Sequence, residues 1–196
     1  MSEEMCSTIT VPVGCSNRHA HLTQGNIDVL FGAGHELTFL RNIRQPDEFV
    51  SCETVDLRGP SGTMRGVRVL GPVRATAQVE LSITDARQLG VRPEVRLSGD
   101  VSGTGRITLV GPCGEVELDA GAIIPARHLH VSQEEAGKLG LAEGQKVAAA
   151  VGGVRGTVFS NIAVRIDPLF ALELHLDTDE FNAAGLEKGD SAELLL

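Results

Sequence analysis

Four of the six histidines in this chain form two His-X-His pairs, His19 with His21 and His128 with His130. On a β-strand, residues two positions apart point to the same face, so the two imidazoles of each pair can share one metal ion. Zinc binds well to imidazole nitrogens and carboxylate oxygens. Each pair also directly follows an arginine. Two such pairs in one short chain predict metal binding.

Other polar residues have patterns that suit the same chemistry. His175 lies in an alternating segment, residues 172–177, on the face opposite the leucines, which predicts a further ligand. Glu80 also faces away from its apolar neighbours, and on this pattern it is either a solvated strand residue or a ligand. Arg74 is either a surface residue or, beside a metal, a bidentate phosphate ligand. His35 lies in a glycine-rich loop and is interpreted as a surface residue.

Composition and charge exclude several classes of protein. The formal net charge is −9 and no long run of lysine or arginine is present, whereas nucleic-acid-binding proteins usually carry a basic stripe. No apolar run reaches the ~18 residues of a membrane-spanning helix, and residues 1–6 lack the apolar stretch of a signal peptide. The four cysteines form no Cys-X-X-Cys pair, which indicates reduced thiols in the cytoplasm.

Short strands are predicted to position these residues. Residues 8–15 alternate with period two, which is typical of a strand. Residues 53–72 and 106–118 each predict a hairpin around a glycine-rich turn, and 145–151 with 154–166 predict another strand pair. The sequence therefore indicates a mainly β protein.

Short helices are predicted between the strands. The first begins after Thr23 as N-cap and ends before a glycine. A second pattern, a short helix that ends at glycine and leads into a strand, occurs three times, with N-cap candidates Thr84, Ser132 and Thr178. Ser132 and Glu135 also have capping-box spacing. Such helices, repeated in both halves of the chain, predict two related small β-barrels.

The run of residues 11–22, which contains the first histidine pair, resembles the opening of the PduL-type phosphate propanoyltransferases. The resemblance covers about residues 9–184, in order and at family spacing. It is carried by residues 11–22, 45–46, 53–55, 67–72, 78–82, 97–100, 126–130 and 175–180.

The resemblance implies a fold of two packed small β-barrels with short capping α-helices. Residues 18–125 would form the first barrel domain, which carries Arg74 and Glu80. Residues 126–196 would form the second, completed by the N-terminal strand 8–17.

The resemblance also implies two divalent metal ions, taken as zinc. One would be held by His19, His21 and Glu80. The other would be held by His128, His130 and His175. Arg74 would be the catalytic arginine and would bind phosphate together with Ser98. The coenzyme A contacts implied by the resemblance are Ser16, Arg41, Arg68, Leu70 and Asn182.

The implied reaction converts short-chain acyl-CoA, propionyl-CoA or acetyl-CoA, and phosphate into acyl phosphate and coenzyme A. Direct attack of metal-bound phosphate on the thioester is expected, because no serine or cysteine lies in an evident activated triad. Two other classes stay open: a binuclear metal-dependent hydrolase of thioesters or phosphate esters, and a non-catalytic metal-binding β-barrel.

Family members that act in propanediol degradation are often packaged in bacterial microcompartments by an N-terminal amphipathic extension. The first ten residues here are too short and too polar for a convincing extension of this kind. We therefore expect a cytoplasmic enzyme. Association with a microcompartment or with further copies of the chain is not decided by the sequence.

Overall fold

A computed structural model describes residues 9–196 of the chain. The predictions for residues 1–6, and residue 8 of the first predicted strand, lie outside the described residues. The strands are β1 Ile9–Ser16, β2 His19–His21, β3 Phe39–Asn42, β4 Phe49–Arg58, β5 Thr63–Gly71, β6 Gln78–Glu80, β7 Val95–Arg96, β8 Gly105–Val110, β9 Glu115–Pro125, β10 His128–Val131, β11 Lys146–Val151, β12 Thr157–Ile166, β13 Glu173–Asp177 and β14 Ser191–Leu195. The helices are α1 Gln24–Phe31, α2 Ile83–Leu89, α3 Gln133–Leu139 and α4 Thr178–Ala183.

The described chain divides into two compact units. One consists of residues 16–126 and 177–179, and we call it the N-terminal barrel. The other consists of residues 9–15, 127–176 and 180–196, and we call it the C-terminal barrel.

The N-terminal barrel is a closed ring of strands in the order β2, β5, β4, β8, β9 and β6. The strand β2 pairs parallel with β5 and antiparallel with β6. The short strands β3 and β7 extend the sheet from β4 and β9. Its core is aliphatic, with Leu22, Leu57 and Ile107 among its fully buried side chains.

The C-terminal barrel is a closed ring in the order β1, β13, β10, β12, β11 and β14. Its strand β10 pairs parallel with β12 and antiparallel with β13, the same arrangement that β2 has with its neighbours. The first strand of the chain joins the last, because β1 pairs antiparallel with β14. Leu129, Ile162 and Leu174 lie in its separate core.

The predicted mainly β fold of two barrels with short helices is confirmed. Full closure of each ring pairs its strand edges, so the polar backbone of the short strands is satisfied. Among residues 9–196, no helix combines the length and apolar character required to cross a membrane.

The helix caps are confirmed in part. Thr23 caps α1, and Ser132 with Glu135 forms a capping box on α3. The prediction for Thr84 is wrong, because Ser82 caps α2 and accepts a hydrogen bond from the backbone N–H of Asp85. A serine one turn before a carboxylate satisfies the first free N–H groups of the helix better than a residue within its first turn. Thr178 is the first residue of α4 rather than preceding it.

Candidate metal centres

Strand pairing in the N-terminal barrel brings together one histidine pair and a distant carboxylate. The register places His19 opposite Glu80 of β6 on one side and opposite Arg68 of β5 on the other. It places His21 opposite Gln78 and Leu70 in the same way. Directly opposed residues project from the same face of a sheet, so the polar side chains of three strands share one surface.

The side chains of His19, His21 and Glu80 form the first triad. The Nε2 atoms of the two histidines lie 3.0 Å apart, and Glu80 Oε2 lies 3.7 Å from His19 Nε2. Donor atoms from all three residues lie within 4.8 Å of one another. Since zinc binds nitrogen at about 2.0–2.1 Å, this spacing suits a single ion. All three residues are buried.

The tautomer of His19 also suits metal binding. Its Nδ1 lies 2.8 Å from the backbone carbonyl oxygen of Asn17, which can only accept a hydrogen bond. The proton therefore resides on Nδ1 and leaves the lone pair of Nε2 directed toward His21. A backbone carbonyl that orients the far nitrogen of a histidine is a frequent feature of metal sites.

The second triad, His128, His130 and His175, is built by the same pairing in the C-terminal barrel. His128 lies opposite His175 of β13, and His130 lies opposite Glu173. The ring centroids of the three histidines are 4.6–4.8 Å apart. One donor atom from each lies within 4.8 Å of the others. Three imidazoles with a fourth position open are a donor set that zinc accepts.

Several buried ring nitrogens in the two triads have no hydrogen-bond partner among residues 9–196. They are Nδ1 of His21 and both ring nitrogens of His130. Burial, followed by the neighbouring His175, His128 and Arg165, lowers the pKa of His130 to about 2. Burial, with His19 and Arg74, holds the pKa of His21 well below its usual range. Neutral imidazoles with unshared lone pairs are what a cation requires, so the residues of both triads fit a divalent metal.

An arginine lies near the first triad in the N-terminal barrel. Arg74 Nη1 donates to Ser98 Oγ at 3.2 Å, and Nη2 donates to Glu48 at 2.5 Å. Gln78 donates to Ser98 Oγ at 2.8 Å and to Glu80 at 2.7 Å. A half-buried arginine beside a hydroxyl is suited to hold an oxyanion.

The arginine before each histidine pair binds an acidic residue at the third position of a short helix in both barrels. Arg18 makes two hydrogen bonds, of 2.9 and 2.7 Å, to Asp85, the third residue of α2. Arg127 donates at 2.5 Å to Glu180, the third residue of α4. The hydrogen bond to Asp85 raises the pKa of Arg18, although burial opposes it. Each arginine thereby attaches its histidine strand, β2 or β10, to the helix that follows the antiparallel neighbour of that strand, β6 or β13.

Comparison with known proteins identifies the family. The family model described as phosphate propanoyltransferase matches residues 12–187. The chain belongs to the phosphate propanoyltransferase family. It is therefore an acyltransferase.

Curated relatives bear the same name. The phosphate propanoyltransferase of Rhodobacter capsulatus is 42% identical over 95% of this chain and 89% of its own. That of Thermotoga maritima is 47% identical over 91% and 85%. That of Salmonella typhimurium is 44% identical over 90% and 84%. The similarity to these family members extends over both barrels.

The residues predicted to contact coenzyme A lie on several elements. Arg68 and Leu70 are half-buried on β5, in the rows that contain His19 and His21. Ser16 donates at 3.1 Å to Glu80 Oε2. Arg41 is exposed on β3, and Asn182 is exposed on α4. Ser16, Arg41, Arg68 and Leu70 belong to the N-terminal barrel, whereas Asn182 belongs to the C-terminal barrel.

Two polar residues beside the triads were not assigned a role from the sequence. Gln78 is buried next to Glu80. Glu173 Oε2 lies 2.7 Å from His175 Nε2. Both occupy the same position in their barrels, opposite the second histidine of a pair. The sequence signal that could have identified them is their spacing of two residues from Glu80 and His175, which places each pair on one face of a strand.

His35 was interpreted as a surface residue, and its side chain is partly exposed but also makes specific contacts. Its ring stacks on Phe31 with centroids 5.3 Å apart, and its Nε2 lies 3.0 Å from Glu53. The same carboxylate accepts hydrogen bonds from the backbone N–H of Thr38. The glycine-rich loop around His35 is thereby attached to β4, a long-range contact that local sequence does not indicate.

Proposed function

We propose that the protein is a phosphotransacylase that interconverts propionyl-CoA or acetyl-CoA plus phosphate with acyl phosphate plus coenzyme A. The proposal draws on the family membership and on the names of the relatives. The observation that carries it is the arginine–serine pair, Arg74 with Ser98, connected to a buried triad of two histidines and a carboxylate. In a chain of net charge −9, this is a local site suited to an anion.

We propose further that His19, His21 and Glu80 hold one divalent ion and that His128, His130 and His175 hold another, with zinc as the metal. When bound, such an ion supplies a Lewis acid that orients phosphate and stabilises developing negative charge. The lowered pKa values of the buried His21 and His130 support this assignment, because a neutral imidazole is a competent ligand without the loss of a proton.

In the proposed reaction, a phosphate oxygen attacks the carbonyl carbon of the thioester. A carbon–oxygen bond forms, the carbon–sulfur bond breaks, and coenzyme A leaves as its thiolate. Arg74 exchanges its ion pair with Glu48 for phosphate and for the negative charge that develops on the carbonyl oxygen. Ser98 donates a hydrogen bond to phosphate. Holding both substrates together removes much of the entropic barrier, so a covalent acyl-enzyme is not required.

The coenzyme is proposed to contact Ser16, Arg41, Arg68, Leu70 and Asn182. Arg68 and Leu70 support this best, because their strand lies directly beside the histidine pair. The acyl group is proposed to be short. Propionyl and acetyl groups differ by one methylene, which a pocket distinguishes by only about 1–3 kcal/mol, so activity with both is expected.

A thiol-release assay with propionyl-CoA, preceded by metal analysis of the purified protein, tests the proposal. Coenzyme A release that requires phosphate, with formation of propionyl phosphate, is the expected result. Release at the same rate without phosphate would instead make the protein a hydrolase. Bound metal with no release under either condition would make it a non-catalytic metal-binding protein.

A further inference from the structure

Gln78 lies between the first triad and the arginine–serine pair. It is 2% exposed, and its Nε2 donates to Glu80 Oε1 at 2.7 Å and to Ser98 Oγ at 2.8 Å. Its Oε1 accepts from the backbone N–H of Gly99 at 2.7 Å. Since Arg74 also donates to Ser98, these hydrogen bonds form a continuous chain from arginine to the triad carboxylate.

The orientation of the Gln78 amide is determined by its partners. The N–H of Gly99 is a donor and an ionised carboxylate is only an acceptor. The reverse orientation of the amide would place its oxygen against Glu80 and its nitrogen against the donor N–H. Gln78 therefore has one arrangement that satisfies all three contacts, and both of its N–H hydrogens are used.

One consequence concerns the carboxylate of Glu80. Its Oε1 is engaged by Gln78, while Oε2 is the oxygen near His19 Nε2 and accepts from Ser16. Gln78 thus selects which oxygen faces the histidine pair. A hydrogen bond that orients a ligating carboxylate contributes to metal affinity.

A second consequence concerns the hydroxyl of Ser98. A hydroxyl oxygen has two acceptor sites and one proton to donate. The two acceptor sites receive Gln78 Nε2 and Arg74 Nη1. The proton of Ser98 is consequently left to donate to another group that can only accept, and a phosphate oxygen is such a group.

We propose that Gln78 is a positioning residue that orients Ser98 as a hydrogen-bond donor to phosphate and orients Glu80 as a metal ligand. This inference rests on the proposed phosphotransacylase function. Through its one side-chain amide, Gln78 aligns the phosphate site with the metal site of the N-terminal barrel.

The variant Gln78→Met preserves the length of the side chain and removes all three hydrogen bonds. The KM for phosphate is expected to rise about 10-fold or more, because hydrogen bonds that involve charged groups contribute that much to binding. The KM for propionyl-CoA should stay near that of the unaltered enzyme. Gln88→Met, which removes an exposed glutamine amide of the same barrel, serves as the control and should change neither constant.

Metal binding provides a readout that is independent of activity. Titration of the apo-protein with zinc against a chromogenic chelator should show weaker binding at one site in Gln78→Met, by about 10–100-fold, as for other residues that orient metal ligands. Gln88→Met should bind as the unaltered protein does. Circular dichroism would verify that both variants are folded.

A double-mutant cycle separates positioning from general damage. If Gln78 acts on phosphate through Ser98, then Gln78→Met should raise the KM for phosphate in the unaltered enzyme but have little further effect in Ser98→Ala. Additive effects of the two substitutions on this KM would overturn the inference.

Should Gln78→Met fail to fold, Gln78→Glu keeps the shape of the side chain and replaces a donor by an acceptor. The new carboxylate would draw the Ser98 proton away from phosphate, so the KM for phosphate should again rise. An unchanged KM for phosphate in a folded variant contradicts the inference, while the phosphate dependence of the unaltered enzyme still stands. Absence of phosphate-dependent release in the unaltered enzyme contradicts the proposed function instead.

Discussion

At the scale of single residues, the two triads use one backbone arrangement with different candidate ligands. The position opposite the first histidine is Glu80 in one barrel and His175 in the other. A carboxylate leaves a bound divalent ion with one positive charge less than a third imidazole does. An ion held by the three histidines would therefore be the stronger Lewis acid, and an ion held by the triad with Glu80 would be bound more through charge.

Arg74 is expected to act in the chemical step rather than in metal binding. Arg74→Ala should lower kcat/KM for phosphate by about 10²–10³-fold, the effect of removing one donor from a developing oxyanion. Steady-state kinetics combined with metal analysis checks this. Arg65→Ala, at an exposed position of β5, is the control. Near-normal turnover of Arg74→Ala with intact metal content would remove this arginine from the mechanism.

His130 is expected to be required for metal retention, because both of its ring nitrogens are buried without a hydrogen-bond partner in the described part of the chain. His130→Ala should reduce the metal content of the purified protein by about one ion per chain, since three protein ligands are the usual minimum of such a zinc site. Elemental analysis measures the content, with His35→Ala as the control outside both triads. Full occupancy in folded His130→Ala would contradict the ligand assignment.

At the scale of elements, each histidine strand is attached in the same way. It lies between one parallel and one antiparallel neighbour, and its preceding arginine binds the third residue of a short helix. The helices are too short to be stable alone, so their position depends on these contacts and on their caps. Gly90 and Gly140 end α2 and α3, both in the left-handed conformation.

These two glycines offer a matched test of helix termination. At Gly140, φ is 67° and an added Cβ would meet no atom within 4 Å, so Gly140→Ala should cost only the conformational strain, about 1 kcal/mol. At Gly90, φ is 74° and a Cβ would lie 2.2 Å from Ser61 Oγ. Gly90→Ala should therefore cost about 2–4 kcal/mol, strain plus overpacking. Urea unfolding measures both, and equal costs would contradict the role of the close contact.

At the scale of the whole molecule, each barrel has its own aliphatic core and its own triad of candidate metal ligands. The free energy of unfolding depends on buried polar groups as well as on these cores. Glu53 is one such group, because its carboxylate attaches the loop around His35 to the N-terminal barrel. Burial raises the pKa of Glu53, but hydrogen bonds from His35 and Thr38 outweigh it and leave that pKa below the ordinary 4.5.

This shift predicts how the free energy of unfolding depends on pH. A carboxyl group whose pKa is lower in the folded state stabilises the fold fully above its unfolded pKa, here near 4.5. That contribution is lost as the pH falls through the folded value. The stability difference between the unaltered protein and Glu53→Gln should therefore shrink below about pH 4.5. Urea unfolding over a pH series measures it, and a constant difference would contradict the prediction.

The sequence by itself determined the features that depend on neighbouring residues. The shared face of each His-X-His pair follows from the two-residue period of a strand, and the caps at Thr23 and Ser132 follow from local hydrogen bonds. The mainly β class followed from alternation and glycine-rich turns. The family resemblance added the expected ligand set, which the residue pattern alone had left open for Glu80.

Tertiary structure decided the contacts between residues that are distant in the chain. On its pattern Glu80 was either a solvated residue or a ligand, and the pairing of β6 with β2 buries it beside His19. The hydrogen bonds of Gln78 to Ser98 and of His35 to Glu53 likewise join separate segments. Periodicity assigns a side chain to a face of its strand, but it does not specify which strand lies alongside, because that choice depends on the packing of the whole barrel.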